Sequence, residues 1–121
     1  MRDNNNGTLT DEMTGIMWQQ ETTLKVMTWD QAVNYCKGLS LSGYTDWRLP
    51  TIEELKSVVD YTRFDPAINI IYFPNIISNP YWSSTTNAYY MKPVWCVHFF
   101  HGYDYYYNKD NSYYVIAVRK I

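Results

Sequence analysis

Apolar residues recur at helical spacing in two stretches of the chain. The first stretch contains Trp29, Ala32, Val33, Cys36 and Leu39, and the second contains Ile52, Leu55, Val58 and Val59. Residues three and four apart lie on one face of an α-helix, so each set predicts a buried stripe. Thr28 with Gln31, and Thr51 with Glu54, place a capping box at the start of each stretch. The sequence therefore predicts two short amphipathic helices.

Alternating apolar and polar positions predict strands on both sides of the helices. Asn6-Gly7 precedes a short alternating segment and is typical of a type I′ hairpin turn. A second strand is expected over Gly15–Gln20, with Trp18 as its core residue. Three further strands are predicted from the later stretches YWSSTTNAYY, VWCVHFFHG and SYYVIAVRK.

The period of two assigns side chains to faces in the last two strands. In VWCVHFFHG the core-facing set is expected to be Trp95, Val97 and Phe99. The outward set is expected to be Cys96, His98 and Phe100. In the final strand one face is expected to carry Tyr114, Ile116 and Val118, and the other Val115, Ala117 and Arg119.

The order of these elements predicts the fold class. Strands come first, then two helices, then an aperiodic loop over residues 65–80, and then the C-terminal strands. Segregated strands and helices indicate an α+β domain, with two short helices packed on a mainly antiparallel, twisted sheet. With 121 residues and 14.4 kDa, residues 1–121 suit a single domain. Arg48 is expected to point to solvent or to pair with Asp46 or Glu53.

Composition and charge narrow the possible functions. Hydrophobic residues make up 46% of the chain, which suffices for a core, and a net charge of −2 argues against a nucleic-acid partner. No apolar run approaches the roughly 20 residues of a membrane helix, so no membrane insertion is expected. The first 13 residues lack the apolar run of a secretory signal, which leaves localisation open between the cytoplasm and a virion or cell surface. The two cysteines, Cys36 and Cys96, are expected to be free thiols.

Tyrosine is concentrated in the C-terminal part of the chain. Nine of the 13 tyrosines lie between Tyr81 and Tyr114, and the stretch YDYYYNKDNSYY holds six of them. Tyrosine offers a large flat contact area with little rotamer freedom to lose, and Asn, Ser and Asp add adaptable hydrogen bonds. Consecutive tyrosines point to opposite faces of a strand, and Tyr106 is expected to turn inward. This composition favours a binding surface over a core strand.

Several motifs together resemble a known family. In order, they are TGIMWQQ, TWDQAVNYCKGLSLSGYTDWRLPTIEEL, YWSST, VWCVHFFHG and YYVIAVRK. They are similar to bacterial and phage domains of the collagen-like adhesin C-terminal type, also called DUF1566. The resemblance implies a C-type lectin fold, related to that of the formylglycine-generating enzyme.

Within this group the C-terminal half resembles the variable protein of a diversity-generating retroelement. That resemblance implies a scaffold at about residues 1–85 and a hypervariable display region at about residues 86–116. It also implies a protein or cell-surface ligand. No cofactor and no bound metal are expected. The expected ligand-binding residues are Asn87, Tyr89, Tyr90, Met91, Pro93, His98, Phe100, His101, Tyr103, Asp104, Tyr105 and Tyr107.

Alternative functions stay open at this point. One is an adhesin module of fixed specificity that binds a polymeric, glycan-like ligand. Another is an enzyme that uses Cys96 and His98 as a thiol–imidazole pair, although no oxyanion donor is evident and the expectation is that the chain is not an enzyme. His98, His101 and Asp104 are weak candidates for a metal site, because their spacing is unlike that of a zinc motif. The calcium-binding triplets of sugar-binding C-type lectins are absent from the sequence. The sequence does not indicate an oligomeric state.

Overall fold

A computed structural model describes residues 1–86 and 93–121 and shows an α+β domain, as the sequence predicts. The helices are α1 (Trp29–Gly38) and α2 (Ile52–Ser57). The strands are β1 (Arg2–Asp3), β2 (Thr8–Asp11), β3 (Ile16–Gln19), β4 (Pro80–Thr86), β5 (Pro93–His98), β6 (Tyr103–Asn108) and β7 (Val118–Lys120). They divide into two antiparallel sheets, with strand orders β1-β2-β3-β7 and β4-β5-β6, where the sequence predicted one twisted sheet.

The N-terminal strands form the first sheet around one tryptophan. Trp18 lies opposite Leu9 on β2 and opposite Val118 on β7, and all three side chains are buried. This confirms Trp18 as a core residue. The predicted type I′ turn is wrong in detail, because such a turn needs positive φ at both central residues. Here the positive φ angles fall at Asn5 and Gly7 rather than at Asn6 and Gly7.

Both predicted capping boxes are present. Thr28 accepts a hydrogen bond from the backbone N–H of Gln31, whose side chain accepts one from the N–H of Thr28. Thr51 and Glu54 make the same exchange at the start of α2. These bonds satisfy backbone donors that a helix N-terminus otherwise leaves without partners.

The segment that leads into β7 separates two hydrophobic clusters. Ile116 and Val118 belong to the cluster that also contains Trp18 and Leu55, and Tyr114 packs against it. Val115 and Ala117 belong to the second cluster, where they join Cys36, Trp47, Leu49, Trp82 and Cys96. The predicted division of this segment into two faces is confirmed. Both faces are buried, although regular strand geometry is confined to Val118–Lys120.

The prediction that Cys96 points to solvent is wrong. Its exposed fraction is 0%, and it packs in the second cluster beside Val94. Val97 and Phe99 pack in the first cluster on the other side of β5. A central strand that is covered on both faces does not follow the rule of one buried and one exposed side, so alternation alone misassigned Cys96.

The charged residues beside α2 pair differently from the expectation. Arg48 donates two hydrogen bonds to Glu54, with Nη1–Oε1 at 2.7 Å and Nη2–Oε2 at 2.9 Å, rather than to Asp46 or Glu53. Asp46 instead accepts two bonds from Arg119, at 2.6 and 3.2 Å. The two pairs tie the segment before α2 to the helix and to β7. Neither helix in the described part of the chain has the length and apolarity of a membrane span.

Candidate ligand-binding surface

The register between β5 and β6 sorts the tyrosines of β6 onto two faces. His98 lies opposite Tyr103, and Cys96 lies opposite Tyr105. Side chains directly opposite each other share a face of an antiparallel sheet. The face that carries Cys96 and His98 therefore also carries Tyr103, Tyr105 and Tyr107.

Two of these tyrosines are strongly exposed and the third connects them to the core. Tyr103 and Tyr105 have exposed fractions of 65% and 57%. Tyr107 is half-buried, with its ring centroid 5.6 Å from that of Tyr105 and 4.9 Å from that of Tyr113. Tyr113 in turn lies 5.1 Å from the buried Trp82. The exposed rings are thus supported by a row of aromatic contacts that ends in the second cluster.

The aromatic surface continues around the turn between β5 and β6. Ring centroids lie 4.5 Å apart for His101 and Tyr103, 6.1 Å apart for Phe100 and His101, and 6.4 Å apart for Phe64 and Phe100. Phe64 lies in the loop after α2 and has an exposed fraction of 74%. We call this set of side chains the aromatic band: Phe64, Phe100, His101, Tyr103, Tyr105 and Tyr107.

Sequence reasoning missed Phe64 as part of this surface. Its loop has no hydrophobic period, so no pattern assigned it to a face. The available signal was a bulky aromatic residue among polar neighbours in the stretch YTRFDP. The contact between Phe64 and Phe100 joins residues that are distant in the sequence, so it is a product of the tertiary fold.

His98 and His101 lie side by side, with ring centroids 4.9 Å apart. Nδ1 of His98 accepts the backbone N–H of Phe100 at 3.2 Å, and Nδ1 of His101 accepts that of Tyr103 at 3.1 Å. In the neutral form both rings therefore carry their proton on Nε2. Burial, followed by the neighbouring His101, lowers the pKa of His98.

A metal site does not fit this arrangement. Coordination through Nε2 would place a proton on Nδ1, where each histidine already accepts a backbone N–H. Within residues 1–86 and 93–121 no three metal-ligating side chains come together. The pair instead holds the turn in shape through two backbone hydrogen bonds.

Some predicted site residues lie away from the aromatic band. Asp104 lies on the opposite face of β6, where its carboxylate is 3.6 Å from Nζ of Lys56 on α2. Pro93 is half-buried at the start of β5, opposite Asn108. The predicted residues that lie outside the described part of the chain are Asn87, Tyr89, Tyr90 and Met91.

Two tyrosines of β6 turn inward, where the sequence predicted only Tyr106. Tyr106 is half-buried, and its ring lies 5.4 Å from that of Trp95 on the face toward α2. Tyr107 is half-buried on the other face, against the second cluster. Because both faces of this sheet meet packed side chains, two of the three consecutive tyrosines turn inward.

The structure does not support Cys96 as the nucleophile of a thiol–imidazole pair. Cys96 and His98 do share a face of β5, as the sequence allowed. The thiol of Cys96 is buried, however, and burial raises its pKa. A thiol with a raised pKa and no access to solvent is a poor nucleophile at neutral pH.

The fold and surface together define an α+β domain that presents exposed aromatic side chains on a packed framework. The family model of the Lcl C-terminal domain matches residues 7–119, and the chain belongs to that family. This supports the family-level resemblance to adhesin C-terminal and DUF1566-type domains. The matched region includes the whole aromatic band. A search of curated proteins found no match to the chain.

Proposed function

We propose that this domain is a ligand-binding display module whose aromatic band contacts a protein or another cell-surface ligand. The observation that carries the proposal is the exposure of Phe64, Tyr103 and Tyr105. Ring contacts run from Phe64 through Phe100 and His101 to Tyr103, and Tyr105 follows on the same face of β6. Contiguous exposed aromatic patches mark interaction sites. An aromatic anchor at the centre of an interface contributes about 2 kcal/mol or more, so two or three anchors supply at least half of the roughly 8 kcal/mol of a micromolar complex.

We further propose a C-type lectin fold for this domain and diversification of the band by a retroelement. Diversification is supported by the separation of the buried core residues from the exposed residues of the band. Trp82, Val97 and Ile116 are buried in the clusters, whereas Tyr103 and Tyr105 project to solvent from the edge strand β6. Exchanges at exposed positions change stability by about 0.5 kcal/mol or less, so such a surface tolerates many sequences.

A fixed-specificity adhesin for a polymeric glycan is the second candidate. Exposed, neighbouring tyrosine rings offer flat faces that suit sugar rings as well as protein side chains. An acidic polymer fits less well, because cations near the band have internal partners among the described residues. Lys56 pairs with Asp104, and Arg63 pairs with Asp60.

A cell-binding assay tests the binding function. A fluorescent fusion of the domain is incubated with panels of bacterial and eukaryotic cells. The band variant combines Phe100→Ser, Tyr103→Ser and Tyr105→Ser, and it should lower binding by roughly 100-fold or more. The matched control changes exposed apolar residues elsewhere: Met13→Ser, Leu24→Ser and Ile121→Ser. Equal binding by the band variant and the native domain argues against the proposal.

The flanking DNA separates the two candidates. Diversification requires a near-identical template repeat that differs from the coding region at adenines, next to a reverse transcriptase gene. Finding both supports a diversified receptor. A locus without them leaves the fixed-specificity adhesin, and the cell-binding result then applies to that function.

A further inference from the structure

A cleft lies beside the aromatic band, in the loop that follows α2. Its volume is about 310 Å³, and its lining residues are Thr62, Arg63, Phe64, Asp65, Pro66, Ile68 and Ile70. The loop is fastened to the turn of the band by two backbone hydrogen bonds. The N–H of Asp65 donates to the carbonyl of Phe100, and the N–H of Ala67 donates to that of Phe99, both at 2.7 Å. Phe64 belongs to both the cleft and the band.

The lining of the cleft combines apolar and polar side chains, and its two charged residues are Arg63 and Asp65. The exposed side chains of Phe64 and Ile70 supply the apolar walls, whereas Ile68 is fully buried. The guanidinium of Arg63 is paired with Asp60, with Nε–Oδ2 at 3.2 Å. The carboxylate of Asp65 has no ion-pair or hydrogen-bond partner within residues 1–86 and 93–121.

The backbone holds Asp65 in place at the rim. Its φ angle is 52°, in the left-handed region that few residues other than glycine adopt. The hydrogen bonds from Asp65 and Ala67 to the turn stabilise this conformation. The carboxylate is therefore carried on a fixed backbone position rather than on a free loop.

We propose that this cleft binds an arginine side chain of the protein ligand that contacts the aromatic band. The aliphatic stem would pack against the exposed side chain of Ile70, the guanidinium would lie near the Phe64 ring, and Asp65 would supply the opposite charge. An acidic side chain would meet the carboxylate of Asp65 with like charge. A purely apolar side chain would remove water from that carboxylate without replacing its hydrogen bonds. The inference rests on the proposed function for the identity of the ligand, but its test does not use that ligand.

The test uses small probes and amide NMR spectra of the intact domain. N-acetyl-arginine amide is titrated into ¹⁵N-labelled protein, in parallel with N-acetyl-citrulline amide, a neutral analogue of nearly the same shape. The arginine probe should shift the amide signals of residues 62–70 in a saturable way. The citrulline probe should bind about threefold more weakly or worse, as expected for loss of an exposed charge pair.

Two variants assign the effect to the cleft. Asp65→Asn keeps the shape and tolerates the left-handed backbone, and it should reduce arginine binding to the level of citrulline. Glu53→Gln removes one exposed negative charge elsewhere and should leave arginine binding unchanged. Well-dispersed spectra of both variants show that they are folded.

Several outcomes overturn the inference. They are shifts outside residues 62–70, equal binding of the two probes, undiminished binding by Asp65→Asn, or no shift at the highest soluble probe concentration. None of these outcomes affects the cell-binding assay, which changes Phe100, Tyr103 and Tyr105 and leaves the cleft residues intact. Failure of the cleft and failure of the aromatic band are therefore distinguishable.

Discussion

Gly102 lies so close to Val59 that a β-carbon on the glycine would fall 2.4 Å from Cγ1 of Val59. The backbone of Gly102 also has a φ of +87°. The first feature leaves no room for a side chain, and the second disfavours one even where there is room. This contact joins the turn between β5 and β6, which carries Phe100 and His101, to the segment that follows α2.

Gly102→Ala should lower the free energy of unfolding by about 2–4 kcal/mol, as the sum of left-handed strain and forced displacement of Val59. Urea denaturation followed by tryptophan fluorescence measures the loss. Gly43→Ala is the matched control, because Gly43 has a φ of +83° and nothing within 4 Å of its β-carbon position. The control should cost about 1–2 kcal/mol. Equal losses in the two variants would show that the Val59 contact is not a constraint.

The ion pair between Arg48 and Glu54 should contribute measurably to stability. Glu54→Gln keeps an oxygen that can accept the N–H of Thr51, so the variant removes the charge and retains the cap. The expected loss is about 1 kcal/mol, because the pair is bidentate but partly exposed to solvent. Denaturant midpoints at neutral pH measure this difference. Glu53→Gln, in the same helical turn, should cost less than half as much.

The pH dependence of this difference follows from the carboxyl group of Glu54. Burial raises its pKa, but the hydrogen bonds from Arg48 and from Thr51 outweigh burial and leave the pKa below its ordinary value of 4.5. A lowered pKa in the folded state means stability that is present above pH 4.5 and is lost as the pH falls through the folded pKa. The gap between the native domain and Glu54→Gln should therefore close in acid. A gap that persists at pH 2 would contradict the assignment.

The sequence predicted the parts of this fold that depend on neighbours in the chain. Each capping box involves residues three apart, so Thr28 with Gln31 and Thr51 with Glu54 were visible as pairs. The faces of the segment before β7 followed from its strict alternation. Tyr103 and Tyr105 are exposed, as expected for alternate residues on one face of an edge strand.

The parts that the sequence did not predict depend on tertiary contacts. Arg48 pairs with Glu54 rather than with the adjacent Glu53, because Glu54 lies on the side of α2 that faces Arg48. Cys96 is buried because a second layer covers its face of the sheet. Phe64 joins the aromatic band because two hydrogen bonds draw its loop onto the distant turn at Phe100. None of these three contacts can be read from the hydrophobic periodicity of the sequence.

Both cysteines should be unreactive in the folded domain. Burial raises the pKa of Cys36 to about 12, and it also raises the pKa of Cys96. At neutral pH the thiolate fraction of such groups is very small, and their sulfur atoms are closed off from reagents. A disulfide-exchange reagent such as Ellman's reagent should label neither thiol within minutes in buffer, and both at once in denaturant. Rapid labelling of Cys96 in the folded state would restore the thiol–imidazole alternative.

The free energy of unfolding of the domain should fall as the solution is acidified from pH 7 to pH 5. Burial and the neighbouring His101 lower the pKa of His98 below its ordinary value of 6.5. The unfolded chain then binds a proton at a higher pH than the folded domain, so stability is present above pH 6.5 and declines below it. Protonation would also place a proton on Nδ1, which accepts the N–H of Phe100.

His98→Asn separates this effect from other titrations. The Asn oxygen can accept the same backbone N–H as Nδ1, but the side chain carries no charge at any of these pH values. The native domain should lose stability between pH 7 and pH 5 in urea denaturation, and His98→Asn should lose clearly less. NMR titration of the His98 ring protons checks the direction of the pKa shift directly. An identical pH dependence in the two proteins would mean that His98 titrates alike in the folded and unfolded states. The burial of His98 would then make no contribution to the pH dependence of stability.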